Sequence, residues 1–183
     1  MKSLIRKIRE NRDKNLIFGW TYKIVHFFGY FLIRIIPQKV YIRAIYKKSF
    51  GKRLNLKNPQ TLNEKIQWKK VYDHNPSYTK CADKYAVREY VKEKIGEKYL
   101  IPLLYHTDKP EEIPFDKLKP PYIIKSNHWS GHTIIIRDKK DIKKDKIIKE
   151  CKDWLNMNYY HIGKEWQYKN IPPKIIIEKL LVG

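Results

Sequence analysis

The sequence predicts an α/β (α+β) protein in which a helical N-terminal region precedes a strand–loop–strand–helix–strand unit, and three observations carry that prediction. Helix-starting and helix-ending residues punctuate the chain as far as Leu104. After Pro120 the pattern changes to short isoleucine-rich runs, PYIIKSN, TIIIRD and PPKIIIEKLL, as expected of buried strands. With 42% hydrophobic and 14% aromatic residues in 183, the chain has enough apolar material for one core and does not read as disordered.

The N-terminal segment, 1–57, is basic and rich in aromatics. Met1 to Lys14 is a basic, helix-like stretch, and no small-residue cleavage site follows the next apolar run, which argues against a signal peptide. That run, Leu16 to Ile36, is interrupted by Lys23, His26 and Arg34, each costly at a bilayer centre. A helix over Trp20–Ile36 is therefore expected on or beside a surface rather than across a membrane. Pro37 breaks it, and a second helix follows over Val40–Phe50 with Gly51 as its C-cap. Between Lys14 and Asn63 there is no acidic residue, whereas ten are Lys or Arg. Two readings of this segment stand side by side: a helix lying on anionic lipid, and a helical layer whose basic face is solvated.

The second segment, 58–118, is a helical lead-in. Thr61 with Glu64 three residues on forms a capping box. Asp83 is expected to start another helix, with Tyr85, Val87, Tyr90, Val91 and Ile95 on its apolar face and Gly96 ending it. The Pro-containing link from Asp108 to Pro121 reads as the boundary with the third segment, 119–183. There two strands flank the turn HWSGH, a helix spans roughly Lys143 to Tyr159, and the isoleucine run closes the unit. Ile147, Ile148, Cys151, Trp154 and Leu155 fall on one side of that helix.

A net charge of +21 points to an anionic partner: nucleotide phosphates, an anionic membrane face, an acidic polymer or nucleic acid. Nucleic acid is disfavoured, because no helix-turn-helix, zinc, RRM or KH pattern accompanies the charge. Cys81 and Cys151 are far apart, which excludes a disulfide framework and a Cys-based metal site and fits a reducing cytoplasm.

Three constellations carry chemistry. Lys125 ends a buried strand and is followed by Ser126, Asn127, His128, Trp129, Ser130, Gly131 and His132. A lysine there is costly unless its ammonium meets an anion, and the turn offers N–H groups and hydroxyls to a phosphate. The plainer reading is a hairpin with an edge lysine. Glu178, Lys179 and Leu181 lie at the exit of the closing strand, where backbone groups can meet an adenine between apolar side chains; a strand running out into solvent would look the same. Lys84 and Arg88, one helical turn apart, suit a phosphate chain or ordinary ion pairs with Asp83, Glu89 or Glu93. His128 and His132 are candidate proton donors or phosphate contacts, or else polar turn residues, and Tyr159, Tyr160, Trp166 and Tyr168 suit either a sugar- or acceptor-binding surface or packing on the sheet.

Taken in order, TLNEKIQW, DKYAVREYV, KSNHWSGH and the closing KIIIEKLL resemble the TupA-like (teichuronopeptide biosynthesis) branch of the ATP-grasp superfamily, over about Lys48 to Leu181. The resemblance implies that 119–183 is a first ATP-grasp subdomain, incomplete at its C-terminal side. It also implies that Lys84 and Lys125 grip ATP phosphates, with the loop containing Ser126, Ser130 and Gly131 closing over them. Glu178 would accept from the adenine amino group, and Lys179 and Leu181 would offer backbone bonds. The implied activity is a magnesium-dependent carboxylate–amine ligase of cell-surface polysaccharide or teichuronopeptide synthesis, acting on an acidic or sugar polymer from the cytoplasmic face of a membrane. The family's magnesium ligands are expected beyond residue 183, and a non-catalytic, degenerate ATP-grasp fragment is the alternative. Trp129 and His132 stand where the family commonly has glycine, which predicts a stiffer loop.

Overall fold

The computed structural model describes residues 33–181, which divide into a unit ending at Asn55 and one beginning at Leu56. In the first unit, residues 33–35 are helical, and the rest of the helix expected over Trp20–Ile36 lies outside the described residues. Helix α1, Gln38–Phe50, starts directly after Pro37 and ends at Gly51, which takes φ 68° and donates its N–H to the Lys47 carbonyl at 2.9 Å. Glycine adopts that left-handed conformation without the Cβ penalty. Ile42 and Tyr46, one turn apart, are buried, whereas Lys39, Arg43, Lys47 and Lys48 are exposed. Among the described residues no helix is long and apolar enough to cross a membrane.

The second unit opens with α2, Leu62–Tyr72, whose capping box forms as expected: Glu64 N–H donates to Thr61 Oγ1, and Thr61 N–H donates to the Glu64 carboxylate at 3.1 Å. A short helix not anticipated from the sequence, α3 (Pro76–Ala82), follows its own cap, Asn75. Helix α4 covers Val87–Ile95 and does not begin at Asp83 as expected. The Asp83 carboxylate instead accepts from Tyr85 N–H at 2.8 Å and closes a turn ahead of the helix. Gly96 ends α4 at φ 100°. Val87 and Val91 are half-buried, while Tyr90 and Ile95 of the expected apolar face are exposed.

Four antiparallel strands form one sheet in the order β1-β4-β2-β3: β1 Leu103–Thr107, β2 Tyr122–Ser126, β3 Thr133–Ile136 and β4 Ile175–Lys179. Strand β1 went unrecognised in the sequence. The β2–β3 hairpin pairs Lys125 with Thr133, and β4 enters beside β2 with Ser126 opposite Ile175 and Ile123 opposite Glu178. Side-chain alternation sends Tyr122, Ile124, Ile136, Ile175 and Ile177 to one face, under helix α5, Lys144–Leu155. Ile147, Cys151 and Trp154 of α5 complete that core, together with Ile113, Phe115 and Leu118 from the 108–121 link. Burial pushes the Cys151 thiol up to about 12, so it acts as a small hydrophobe rather than a nucleophile. The expected helix to Tyr159 stops earlier; Asn158 accepts from Tyr160 N–H and caps a separate short helix, α6, Tyr159–Gly163.

Candidate functional site

The same alternation that buries Ile124 sends Lys125 and Ile123 to the opposite face, beside Ile176 and Glu178 of β4. There Lys125 Nζ donates to Glu178 Oε2 at 2.9 Å, and Arg88 of α4 donates to Glu178 Oε1 at 3.0 Å. The second arginine nitrogen donates to the Ile101 carbonyl at 2.7 Å, which aims the guanidinium from outside the sheet. Arg88, read as a phosphate contact or a surface pair, is thus the second cation on the strand-exit glutamate. Glu178 keeps only 9% of its side chain exposed, so two cations on one carboxylate form a largely desolvated cluster.

Lys84 reaches the same region from the turn before α4. Its Nζ donates to the carbonyls of Ser126, at 3.2 Å, of Asn127, at 3.4 Å, and of Trp129. No carboxylate lies within ion-pair distance of it among the described residues. Burial, and next the charge of Lys125, hold its pKa below the usual lysine value, against the weaker pull of Asp83 and Glu178. The structure therefore brings Lys84, Lys125 and Glu178 together, with the cations only partly neutralised.

The other sequence candidates sit differently. Ser126 is fully buried, and its hydroxyl lies 3.2 Å from His132 Nδ1. Ser130 and Gly131 form the exposed loop tip, where Gly131 takes φ 92°. Lys179 N–H is taken by the Pro102 carbonyl and Leu180 N–H by that of Pro121; Leu181 is exposed.

The loop itself is held by rings. His132 stacks between Trp129, at 4.6 Å and 5°, and Trp154 of α5, at 5.0 Å and 8°. Trp129 also meets the edge of Tyr159, which packs on Tyr168. Burial, then the charges of His128 and Lys84, push the His132 pKa down to about 4. His128 is buried, with Nδ1 3.0 Å from Asn127 Oδ1 and Nε2 facing the carbonyls of Trp154 and Met157 at the end of α5. Burial holds its pKa down, against the carbonyls that Nε2 meets at the negative end of the helix, which favour the charged ring. His128 is thus buried, and His132 is half-buried between two tryptophan rings.

Asn127 was not among the site residues chosen from the sequence. It is fully buried, and its side chain is bonded to Asp83, Pro172, Lys174 and His128. The signal for it was an amide between a strand end and a histidine, in a segment too apolar to leave it unpaired.

Chemically, this face of the sheet brings two ammonium groups within electrostatic reach of each other and of one carboxylate at a strand exit, a set that suits an anion with charge spread over several oxygens. Among the described residues no group of three or more His, Cys, Asp or Glu side chains could hold a metal ion. A family model described as TupA-like ATPgrasp matches residues 64–182. No curated protein and no solved structure matches the chain.

Proposed function

Because the chain belongs to the TupA-like ATP-grasp family, we propose that its second unit is the nucleotide-holding part of an ATP-dependent carboxylate–amine ligase of cell-surface polysaccharide or teichuronopeptide synthesis. The single observation that carries this reading is Lys84: a half-buried ammonium held only by carbonyls, beside a second lysine that already shares its carboxylate with Arg88. Two neighbouring cations gain most from an anion with charge spread over several oxygens. In this reading Lys84 and Lys125 hold the phosphates, the N–H groups of Ser130 and Gly131 lie over them, and the Ser126 carbonyl orients Lys84. Lys125 would exchange Glu178 for phosphate, leaving Arg88 to orient that carboxylate toward the adenine amino group. With the Lys179 N–H committed to Pro102, its carbonyl and the Leu181 N–H are the hinge groups assigned to the base. Bound ATP supplies a phosphoryl group that activates a carboxylate for attack by an amine. Magnesium is expected with the nucleotide, and no described residue is assigned to hold it.

Titration of the full chain with MgATP tests this. Micromolar-range binding that weakens by roughly tenfold or more in Lys125→Ala is expected, the usual consequence of losing a charge-assisted phosphate contact. Equal affinity in wild type and variant would remove Lys125 from the site. Binding without turnover on any acceptor polymer would favour a non-catalytic ATP-grasp protein.

The absence of acidic residues between Lys14 and Asn63, with Lys39, Arg43, Lys47 and Lys48 exposed on α1, favours a second element: attachment to the anionic cytoplasmic face of a membrane. Salt-sensitive pelleting with anionic vesicles, lost when residues 1–50 are removed, is expected. Equal pelleting without them would refute it.

A further inference from the structure

We propose that Asn127 is the positioning residue of the nucleotide grip: its side-chain amide fixes Lys84 and the β2–β3 loop against the entry of β4. This rests on the ATP-holding role of Lys84. Asn127 Nδ2 donates to Asp83 Oδ1 at 2.9 Å and to the Pro172 carbonyl at 2.9 Å, both of which are acceptors only. Its Oδ1 receives Lys174 N–H at 2.7 Å, so the amide has one permitted orientation and His128 Nδ1 is the remaining donor to it. The backbone adds two further ties: Asn127 N–H donates to the Lys174 carbonyl at 3.0 Å, and the Asn127 carbonyl accepts from Lys84 N–H at 3.2 Å.

One fully buried residue thus joins three chain segments with every hydrogen-bonding group it has. Asp83 immediately precedes Lys84, Asn127 follows Lys125 by two residues, and Lys174 immediately precedes β4, which delivers Glu178. The residues assigned to phosphate and base are therefore each within a few residues of this amide. Asn127 itself is inaccessible to a ligand. Its contribution is to hold the carbonyls of Ser126, Asn127 and Trp129 at the Lys84 ammonium and keep that ammonium beside Lys125.

Asn127→Asp against Asn127→Ala separates positioning from general support of the fold. The aspartate variant keeps size and the acceptor but replaces both donors, toward Asp83 and toward the Pro172 carbonyl, with a carboxylate oxygen. One proton shared by the two carboxylates at low pH restores the bond to Asp83, while the bond to Pro172 stays lost. The charged and titratable groups around this point are Asp83, Lys84 and Tyr85 before α4, His128 and His132 in the loop, Lys174 before β4, and Lys125 and Glu178 on the sheet. Each affinity is therefore taken as a ratio to wild type at the same pH. MgATP binding by the full chain is expected to weaken roughly tenfold or more in Asn127→Ala at every pH, the loss typical of a buried bond to a charged partner. Asn127→Asp is expected to match that loss at pH 8 and to recover by roughly threefold or more relative to wild type near pH 5, where a carboxylate pair holds one proton and the bond to Asp83 returns. A ¹⁵N–¹H signal from the Lys84 ammonium, slow to exchange in wild type, is expected to vanish in Asn127→Ala and in Asn127→Asp at pH 8.

Wild-type affinity in both variants, or equal losses without pH recovery in Asn127→Asp, would overturn the positioning role. Should Asn127→Ala fail to fold, the pH 8 and pH 5 comparison within Asn127→Asp decides. Should wild type bind no MgATP, the ATP reading falls and the Lys84 signal alone decides: its persistence in both variants overturns positioning.

Discussion

The two faces of the sheet are built from the same strands and differ in almost everything else. Beneath α5, Tyr122, Ile124, Ile136, Ile175 and Ile177 pack with Ile147, Cys151 and Trp154. On the opposite face, one residue out of register, Lys125 and Glu178 form an ionic cluster with Arg88, while Ile135 of β3 remains 44% exposed. One face repays burial with packing; the other holds charges that water has only partly left. The strand β2, Tyr-Ile-Ile-Lys-Ser, serves both because its side chains alternate. A one-residue slip would exchange the two sets, so the core fixes the register that places the lysine.

Four experiments break or sharpen that division, ordered by their expected effect on stability. Ile124→Ala, beneath α5, is expected to cost ~2–5 kcal/mol in denaturant unfolding, the range for emptying a packed aliphatic site. Glu178→Gln, on the other face, is expected to cost about 2–3 kcal/mol because it strands two partly desolvated cations. Water still reaches Lys125 and Arg88, whose side chains are 22% and 17% exposed, which keeps that loss below the core value. His132 gives a pH test. Its folded pKa of about 4 lies below the unfolded value, so the native state binds fewer protons between them and stability rises with pH. That contribution is complete above roughly pH 6.5 and lost as pH falls toward 4, on the order of 1–2 kcal/mol after solvent screening. In His132→Phe the unfolding free energy should vary less over that window; an unchanged slope would mean the ring is not held neutral by burial. Lys84→Met is expected to move stability by less than about 1 kcal/mol in either direction, since it removes a desolvated charge along with its bonds. The same substitution should abolish measurable MgATP binding, and a loss of stability comparable to Ile124→Ala would make Lys84 a structural residue.

The core face was the more legible. Isoleucine runs, the Thr61–Glu64 box and the glycine stop signals act locally, within a few residues, and the structure keeps them. Strand β1 was missed because Leu103–Thr107 follows Pro102, lacks β-branched residues before Thr107 and sits at a sheet edge with Leu104 and His106 exposed. Asp83 was read as a helix start because local capping rules favour it there; its carboxylate also receives the Asn127 amide, 44 residues away. The partners of Arg88 and Asn127 were illegible for the same reason: Glu178 and Lys174 lie 90 and 47 residues off. Lys84, Lys125 and Glu178 were candidates on local chemistry and took their roles from the family resemblance, and their proximity is a tertiary fact that spacing alone does not encode. The helix expected to run to Tyr159 ends at Leu155, and the Asn158 side chain caps the next helix instead.

Strand β4 comes last of the four along the chain and yet lies second in the sheet, between β1 and β2. During synthesis, then, β1 waits without a neighbour, and the β2–β3 hairpin shows an unpaired edge, until residues 175–179 emerge. Thr107 must find Ile175, a separation of 68 residues, before either gap closes. Such long-range pairing slows folding and exposes strand edges meanwhile. The central strand works as a late-fitted keystone, and the ionic cluster on Glu178 can form only once it is in place.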